Sequence, residues 1–216
     1  SAKELDIKRF VFAASSSTYG DSASLPKVEN IIGNPLSPYA VGKYVNELYA
    51  HVYALNYGLS YIGLRYFNVF GKRQYPHGAY AAVIPKFIQQ FLDGEAPTIN
   101  GDGTNTRDFT HIENVVDATI RAIENTHVEA DNQIYNVAYG SSTSLNDLVA
   151  LIKEAIISRK PEASLPGISY GPFRKGDIPH SLASIEKIKT QLGYSPRVPI
   201  HEGIQKTVDW ILSSKG

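Results

Sequence analysis

The chain has 216 residues with 21 basic and 21 acidic side chains, no cysteine and no methionine; 43% is hydrophobic and 19% is charged. A net charge of zero offers no footing for nucleic acid or an anionic membrane surface, and no apolar run is long enough to span a bilayer. Disulfides and cysteine-based metal sites are excluded, which leaves a globular chain able to build a sizeable core.

Ala2 to Leu5 reads as the end of a helix that runs into a strand. Arg9 to Ala14 is β-branched and aromatic, a short buried strand, and it leads into Ser15-Ser16-Ser17-Thr18-Tyr19-Gly20. In an open parallel sheet, functional groups gather just beyond the carboxyl ends of strands, so these hydroxyls stand where a substrate hydroxyl can be met. A Ser/Thr-rich turn would have the same composition. Leu25-Pro26 and Gly33-Asn34-Pro35 make a turn-rich connection.

Ser37 is then a good N-cap and Pro38 a good first helical residue, so a helix is expected from here to about Asn56, closed by Gly58. Tyr39 and Lys43 fall four apart on one face of it. A free phenol has a pKa near ~10 and is a poor base at neutral pH; a neighbouring ammonium favours its phenolate. An ordinary helical face carries such a pair by chance. A strand, a hydroxyl cluster and a capped Tyr-x-x-x-Lys helix in sequence form a far rarer conjunction.

Leu59 to Tyr66 reads as the next strand, with Asn68 just beyond it. After the polar stretch 72–78 come a helix over 81–92 that is started or interrupted at Pro85, and short strands at 97–99 and 107–111. These two flank the turn-forming Asn100-Gly101-Asp102-Gly103 as a hairpin would. An amphipathic helix over 113–125, a strand over 133–137 and a helix from the Ser144 cap to about Ile157 follow. The stretch 161–172 is irregular with a short strand near Ile168-Ser169-Tyr170, and helices at 184–192 and 200–212 close the chain. The histidines show no metal-ligand spacing, so no metal site is expected.

Taken with the Ser loop and the Tyr/Lys helix, four further pieces carry a resemblance: Asn34-Pro35-Leu36-Ser37-Pro38-Tyr39, Leu64-Arg65-Tyr66-Phe67-Asn68-Val69-Phe70-Gly71, Arg107-Asp108-Phe109 and Gly176-Asp177. The chain resembles the extended short-chain dehydrogenase/reductase family. Within it the likeness is to NAD-dependent nucleotide-sugar 4-epimerases, most closely the bacterial UDP-N-acetylglucosamine 4-epimerases of surface-polysaccharide synthesis. Residues 1–216 hold no Gly-rich strand–turn–helix fingerprint for a dinucleotide, which the family carries upstream; the chain is therefore expected to be roughly the latter two thirds of a family member.

The resemblance implies an α/β fold: the C-terminal part of a Rossmann-type doubly wound parallel sheet plus a smaller α/β substrate-binding domain. Residues 1–70 would belong to the NAD-binding domain and 71–216 mainly to the nucleotide-sugar domain, with about 107–138 completing the sheet. It implies NAD as cofactor and a UDP-sugar as substrate. Ser15, Tyr39 and Lys43 would be catalytic; Tyr39, Lys43 and Tyr66 would touch the cofactor. Ser16, Ser17, Asn68, Arg107, Arg174, Asp177 and Ser181 would contact the substrate. Planar guanidinium groups at Arg107 and Arg174 suit a diphosphate.

Ser181 falls where epimerases restricted to unmodified hexoses carry a bulky Tyr, so room for an N-acetyl group is expected. Relatives that eliminate or decarboxylate place acids where Ser16 and Ser17 stand, which favours epimerisation. UDP-hexoses or UDP-hexuronates as substrates, and a non-catalytic sugar-nucleotide-binding fragment, remain open alternatives. A cytoplasmic homodimer is implied, paired through the Tyr39 helix with Tyr44, Leu48 and His51 on the outer face.

Overall fold

The computed structural model describes residues 2, 4–5, 7–77, 82–173 and 178–214. Its central feature is a parallel sheet in which β1 (Phe10–Ser15), β2 (Tyr61–Tyr66) and β7 (Gln133–Val137) lie side by side in that order. Phe10 pairs with Tyr61 and Ser15 with Tyr66, so the hydroxyl-rich end of β1 adjoins the end of β2. Between these two strands runs α1 (Pro38–Tyr57), capped by the Ser37 hydroxyl, which accepts from the Ala40 N–H at 3.1 Å, and ended by Gly58 with φ 68°. The expected boundaries of this helix hold to within a residue.

Successive strand residues point to opposite faces. From β2, Ile62, Leu64 and Tyr66 turn toward α3 (Ile112–Glu124) and α5 (Glu186–Leu192), where Val115, Ala118, Tyr135, Ile188 and Tyr194 close an apolar core. Arg65 turns the other way, under α1. There its Nε and Nη2 donate to the two oxygens of Glu47 at 2.9 and 2.7 Å, and its Nη1 donates to the Glu29 carbonyl at 2.9 Å. Both side chains are almost fully buried. Burial disfavours the guanidinium charge, but the Glu47 carboxylate and Tyr19 more than offset it and raise the pKa of Arg65.

A second core lies beyond the sheet. It joins α2 (Val83–Leu92), α4 (Leu145–Ile157) and α6 (Ile200–Ser214) through Ile84, Phe87, Ile88, Phe91, Leu148, Ile152, Ile204 and Val208, with Phe70 and Phe109 reaching in from outside these helices. The small strands here depart from the sequence expectation. Residues flanking 100–103 do not form a hairpin: β4 (Thr98–Asn100) pairs in parallel with β9 (Ser169–Gly171). The stretch 106–111 divides into two strands with different neighbours. β5 (Thr106–Arg107) runs antiparallel to β8 (Thr143–Ser144), and β6 (Thr110–His111) parallel to β3 (Val69–Phe70). Long-range partners override the local turn signal because each short strand completes a different wall.

Removing one partner of a buried ion pair strands the other charge. Glu47→Ala is expected to lower the unfolding free energy by about 3–5 kcal/mol in urea denaturation, while Glu47→Leu combined with Arg65→Met recovers most of it. A loss below about 1 kcal/mol for the single variant would mean that the pair does not hold α1 in place.

Candidate active site

Chain direction changes sharply where β1 ends. Ser15 caps a 3-10 turn over Ser16–Tyr19, its Oγ accepting from the Ser17 N–H at 3.2 Å and the Ser17 hydroxyl at 2.9 Å. Gly20 closes the turn with φ 52°; a Cβ there would sit 1.8 Å from the Asn34 carbonyl oxygen, so the position requires glycine. Tyr19 is buried and donates to Asn136 Oδ1 at 2.6 Å. Burial pushes its phenol up to about 12, which makes it a fixed donor rather than a base.

Tyr39 is the opposite case, 61% exposed on the first turn of α1. The expected meeting with Lys43 occurs: the ammonium lies 5.8 Å from the Tyr39 ring centroid and donates to the Ala13 carbonyl of β1 at 2.9 Å. That hydrogen bond fixes the helix pair to the strand two residues before Ser15.

Beside these groups lies a cleft of about 310 Å³ lined by Ser15, Ser16, Ser17, Asn68, Arg107 and Ser181, with Tyr19, Lys27, Leu36, Ser37 and Ala40 among its other walls. Six residues expected at the site thus converge from four separate stretches. Tyr39 and Lys43 are not part of this lining; their helix neighbours Ser37 and Ala40 are. A second cavity of about 240 Å³ shares Asn68 and Arg107 with the first and continues between Lys86, Phe87, Ile99, Asn100 and Phe109. Arg107 is anchored by donating to the carbonyls of Thr106 at 2.8 Å and Pro179 at 3.2 Å. Tyr66 lies apart, packed toward α3 with its hydroxyl paired to Thr119 at 2.9 Å. Arg174 and Asp177 lie outside the described residues.

Beneath the cleft, Asp108 is wholly buried. Its carboxylate accepts from the backbone N–H of Tyr139, Gly140 and Ala183 at 3.1–3.2 Å, and its carbonyl accepts from the Asn68 amide at 3.4 Å. It therefore ties together the loop after β2, the loop after β7 and the strap that carries Ser181. The N–H donors favour the carboxylate, but desolvation is larger and pushes its pKa up to about 7. His111 is structural as well, capping α3 through its Nδ1, which accepts from the Glu113 N–H at 3.4 Å.

Sequence reasoning missed Asp108 as a tether and Lys27 as a wall. Asp108 sits inside a motif, but nothing local indicates which backbones it meets; a lone Lys in a loop reads as a solvated charge. Among the described residues, no group of three or more His, Asp or Glu is placed to hold a metal ion. No described helix is long and apolar enough to cross a membrane.

Comparison with known proteins gives the same picture. Residues 1–138 match the NAD dependent epimerase/dehydratase family. The UDP-glucose 4-epimerase of Mycolicibacterium smegmatis is 35% identical over 97% of this chain and 64% of its own length. A UDP-N-acetylglucosamine 4-epimerase from Methanobrevibacter ruminantium M1, solved in complex with UDP-N-acetylmuramic acid, superposes with a TM-score of 0.89 at 38% identity. That match covers 99% of this chain and 66% of that one. The UDP-glucuronic acid 4-epimerase from Bacillus cereus, solved with UDP-glucuronic acid and NAD, superposes at 0.84 with 30% identity, over 99% and 64% of the two chains. The chain thus spans just under two thirds of the length of the relatives it matches.

Asp108 provides a pH test. Its folded pKa lies above the ordinary carboxyl value of 3.8, so its contribution to stability is complete below about pH 4 and fades as pH rises toward 7. The stability difference between the wild type and the non-titrating Asp108→Asn variant is expected to shrink across that window in urea titrations at several pH values. A difference that is flat or grows with pH would contradict the assignment.

Proposed function

The chain belongs to the NAD dependent epimerase/dehydratase family, and from that premise we propose that the whole protein is a nucleotide-sugar 4-epimerase acting on UDP-N-acetylhexosamines. The observation that carries the reading is the pair of cavities that share Asn68 and Arg107 in their walls. A nucleotide sugar has a polyhydroxy ring, a diphosphate and a flat base in that order. The serine-rich cleft suits the ring and the shared Arg107–Asn68 wall the diphosphate. The second cavity, with Phe87, Ile99 and Phe109 in its walls, suits the base. Arg174 would add a second guanidinium and Asp177 a ribose contact, both on the strength of the family motif.

Catalysis in this reading needs a base at the sugar's 4-hydroxyl. Tyr39 takes that proton as phenolate and later returns it, while Lys43 stabilises charge on the phenol oxygen. Ser15 orients the 4-hydroxyl, and Ser16 and Ser17 hold the ring. NAD, when bound, supplies the acceptor and donor of hydride at C4, so that a 4-keto sugar forms transiently and is reduced on its other face.

The residues present fit the nicotinamide end of that cofactor. Lys43 has two N–H donors beyond its bond to Ala13, and the Tyr39 side chain is open to solvent. Tyr66 is assigned to the cofactor by motif alone. Ser16 and Ser17 supply no acid for elimination, which supports epimerisation over dehydration.

The same reading divides the chain into a nucleotide-binding part, residues 1–70, and a mainly sugar-nucleotide part, 71–216, with about 107–138 completing the sheet; Val115, Ala118 and Tyr135 of that last stretch pack in the core of the sheet. It extends to a cytoplasmic homodimer feeding surface-polysaccharide synthesis. In support of pairing through α1, Val41, Val45, Leu48, Val52 and Leu55 are exposed on that helix.

The deciding experiment is product analysis of the full-length enzyme offered UDP-sugars with and without an N-acetyl group and with and without a 6-carboxylate; turnover of unmodified UDP-hexoses alone would overturn the substrate assignment. Tyr39→Phe is expected to reduce turnover by about 100-fold or more with the fold intact by circular dichroism. Ser181→Tyr should cut turnover of N-acetylated substrates by about 10- to 100-fold, the effect of roughly 1–3 kcal/mol of overpacking.

A further inference from the structure

Lys27 lines the cleft and also an adjoining trough of about 430 Å³ that shares Gly20, Leu36 and Ile178 with it. The residue is only 3% exposed. Its backbone is sewn into the Ser181 strap: its N–H donates to Leu182 at 2.7 Å, and its carbonyl accepts from Ser184 N at 2.9 Å and Asn136 Nδ2 at 2.9 Å. The backbone is thereby fixed beside the cleft, and the side chain lies against its wall with its ammonium at the Ser22 carbonyl.

Among the described residues, no acidic side chain pairs with the charge at its end. The two acids in the same connection are engaged elsewhere. Asp21 accepts from the Asn34 backbone at 2.7 Å, and Glu29 Oε1 accepts from the Asn136 N–H at 2.9 Å. An ammonium carries three donors, so two remain. Burial holds Lys27 below the ordinary lysine range, as expected of a desolvated cation. A lysine needed only to brace the loop could be replaced by an apolar side chain without the cost of burying a charge.

We propose that the Lys27 ammonium is an oxyanion-binding group of the cleft, receiving either a carboxylate carried by the sugar or a diphosphate oxygen of the same nucleotide sugar. This rests on the nucleotide-sugar reading above and adds to it a cation that the motifs do not contain. An oxyanion beside Lys27 would pair with its charge and accept its free N–H donors.

The test is calorimetric binding of UDP, UDP-N-acetylglucosamine and UDP-glucuronate to the full-length enzyme, as wild type, Lys27→Met and Lys27→Arg. Loss of a charge-assisted hydrogen bond is expected to weaken binding about tenfold or more in Lys27→Met, with Lys27→Arg within about threefold of wild type. A loss confined to UDP-glucuronate assigns the oxyanion to a sugar carboxylate; an equal loss for all three ligands assigns it to the diphosphate. Unchanged affinities in a folded Lys27→Met would overturn the proposal and leave Lys27 a loop brace. Failure of the wild type to bind any of the three would overturn the nucleotide-sugar reading, and this inference with it. Should Lys27→Met not fold, the wild-type Lys27 ¹³Cε resonance, assigned by its disappearance in Lys27→Arg, provides the same decision: it shifts on titration with the oxyanion ligand, or the proposal fails.

Discussion

The buried pair of Arg65 and Glu47 is the constraint on which the geometry of the candidate site rests. Glu47 projects from the inner face of α1 and Arg65 from the underside of β2, and two parallel hydrogen bonds fix the rotation of the helix about its axis as well as its distance from the sheet. Once that rotation is set, Lys43, one turn earlier, reaches the Ala13 carbonyl of β1, with the Tyr39 ring beside its ammonium. The same guanidinium holds the Glu29 carbonyl and lies 4.8 Å from the Tyr19 ring centroid, so the loop on the other side of the cleft is registered against the same charge. A buried ion pair is seldom a source of large net stability, because desolvation opposes the attraction. Here it confers specificity of placement, which apolar packing alone would not give a helix that buries only Ala40, Glu47 and Ala50.

Asp108 plays the corresponding part on the far side. Three backbone donors from two loops converge on one carboxylate, and Arg107 and Phe109, its neighbours in sequence, reach the cavities themselves. A cleft made largely of loops would otherwise have many ways to relax. A buried ion pair under one wall and a buried, backbone-bound carboxyl group under the other restrict it to few.

The contrast between the two tyrosines shows how environment sorts one chemical group into two roles. Tyr19 is enclosed, donates to Asn136 and is kept protonated by burial. Tyr39 stands in the open with an ammonium beside its ring. Only the second is open to a ligand, which is why the proposed chemistry is built on it.

Much of this is legible in the order of residues. The strand at Phe10–Ser15, the Ser37–Pro38 start of α1 and its Gly58 end, β7 and the Ser144 cap all follow from local rules of burial, capping and backbone freedom. The meeting of Tyr39 and Lys43 also follows, because i,i+4 spacing is local geometry. The partners of the short strands at 98–100 and 106–111 could not be read this way, since such strands have no register until distant segments supply it. Nor could the sequence show that Lys27 would be buried, that Asp108 would gather three loops, or that Tyr66 would turn toward α3. Local chemistry determined which groups the chain possesses; long-range closure alone decided which of them lost their water and which came to face one another.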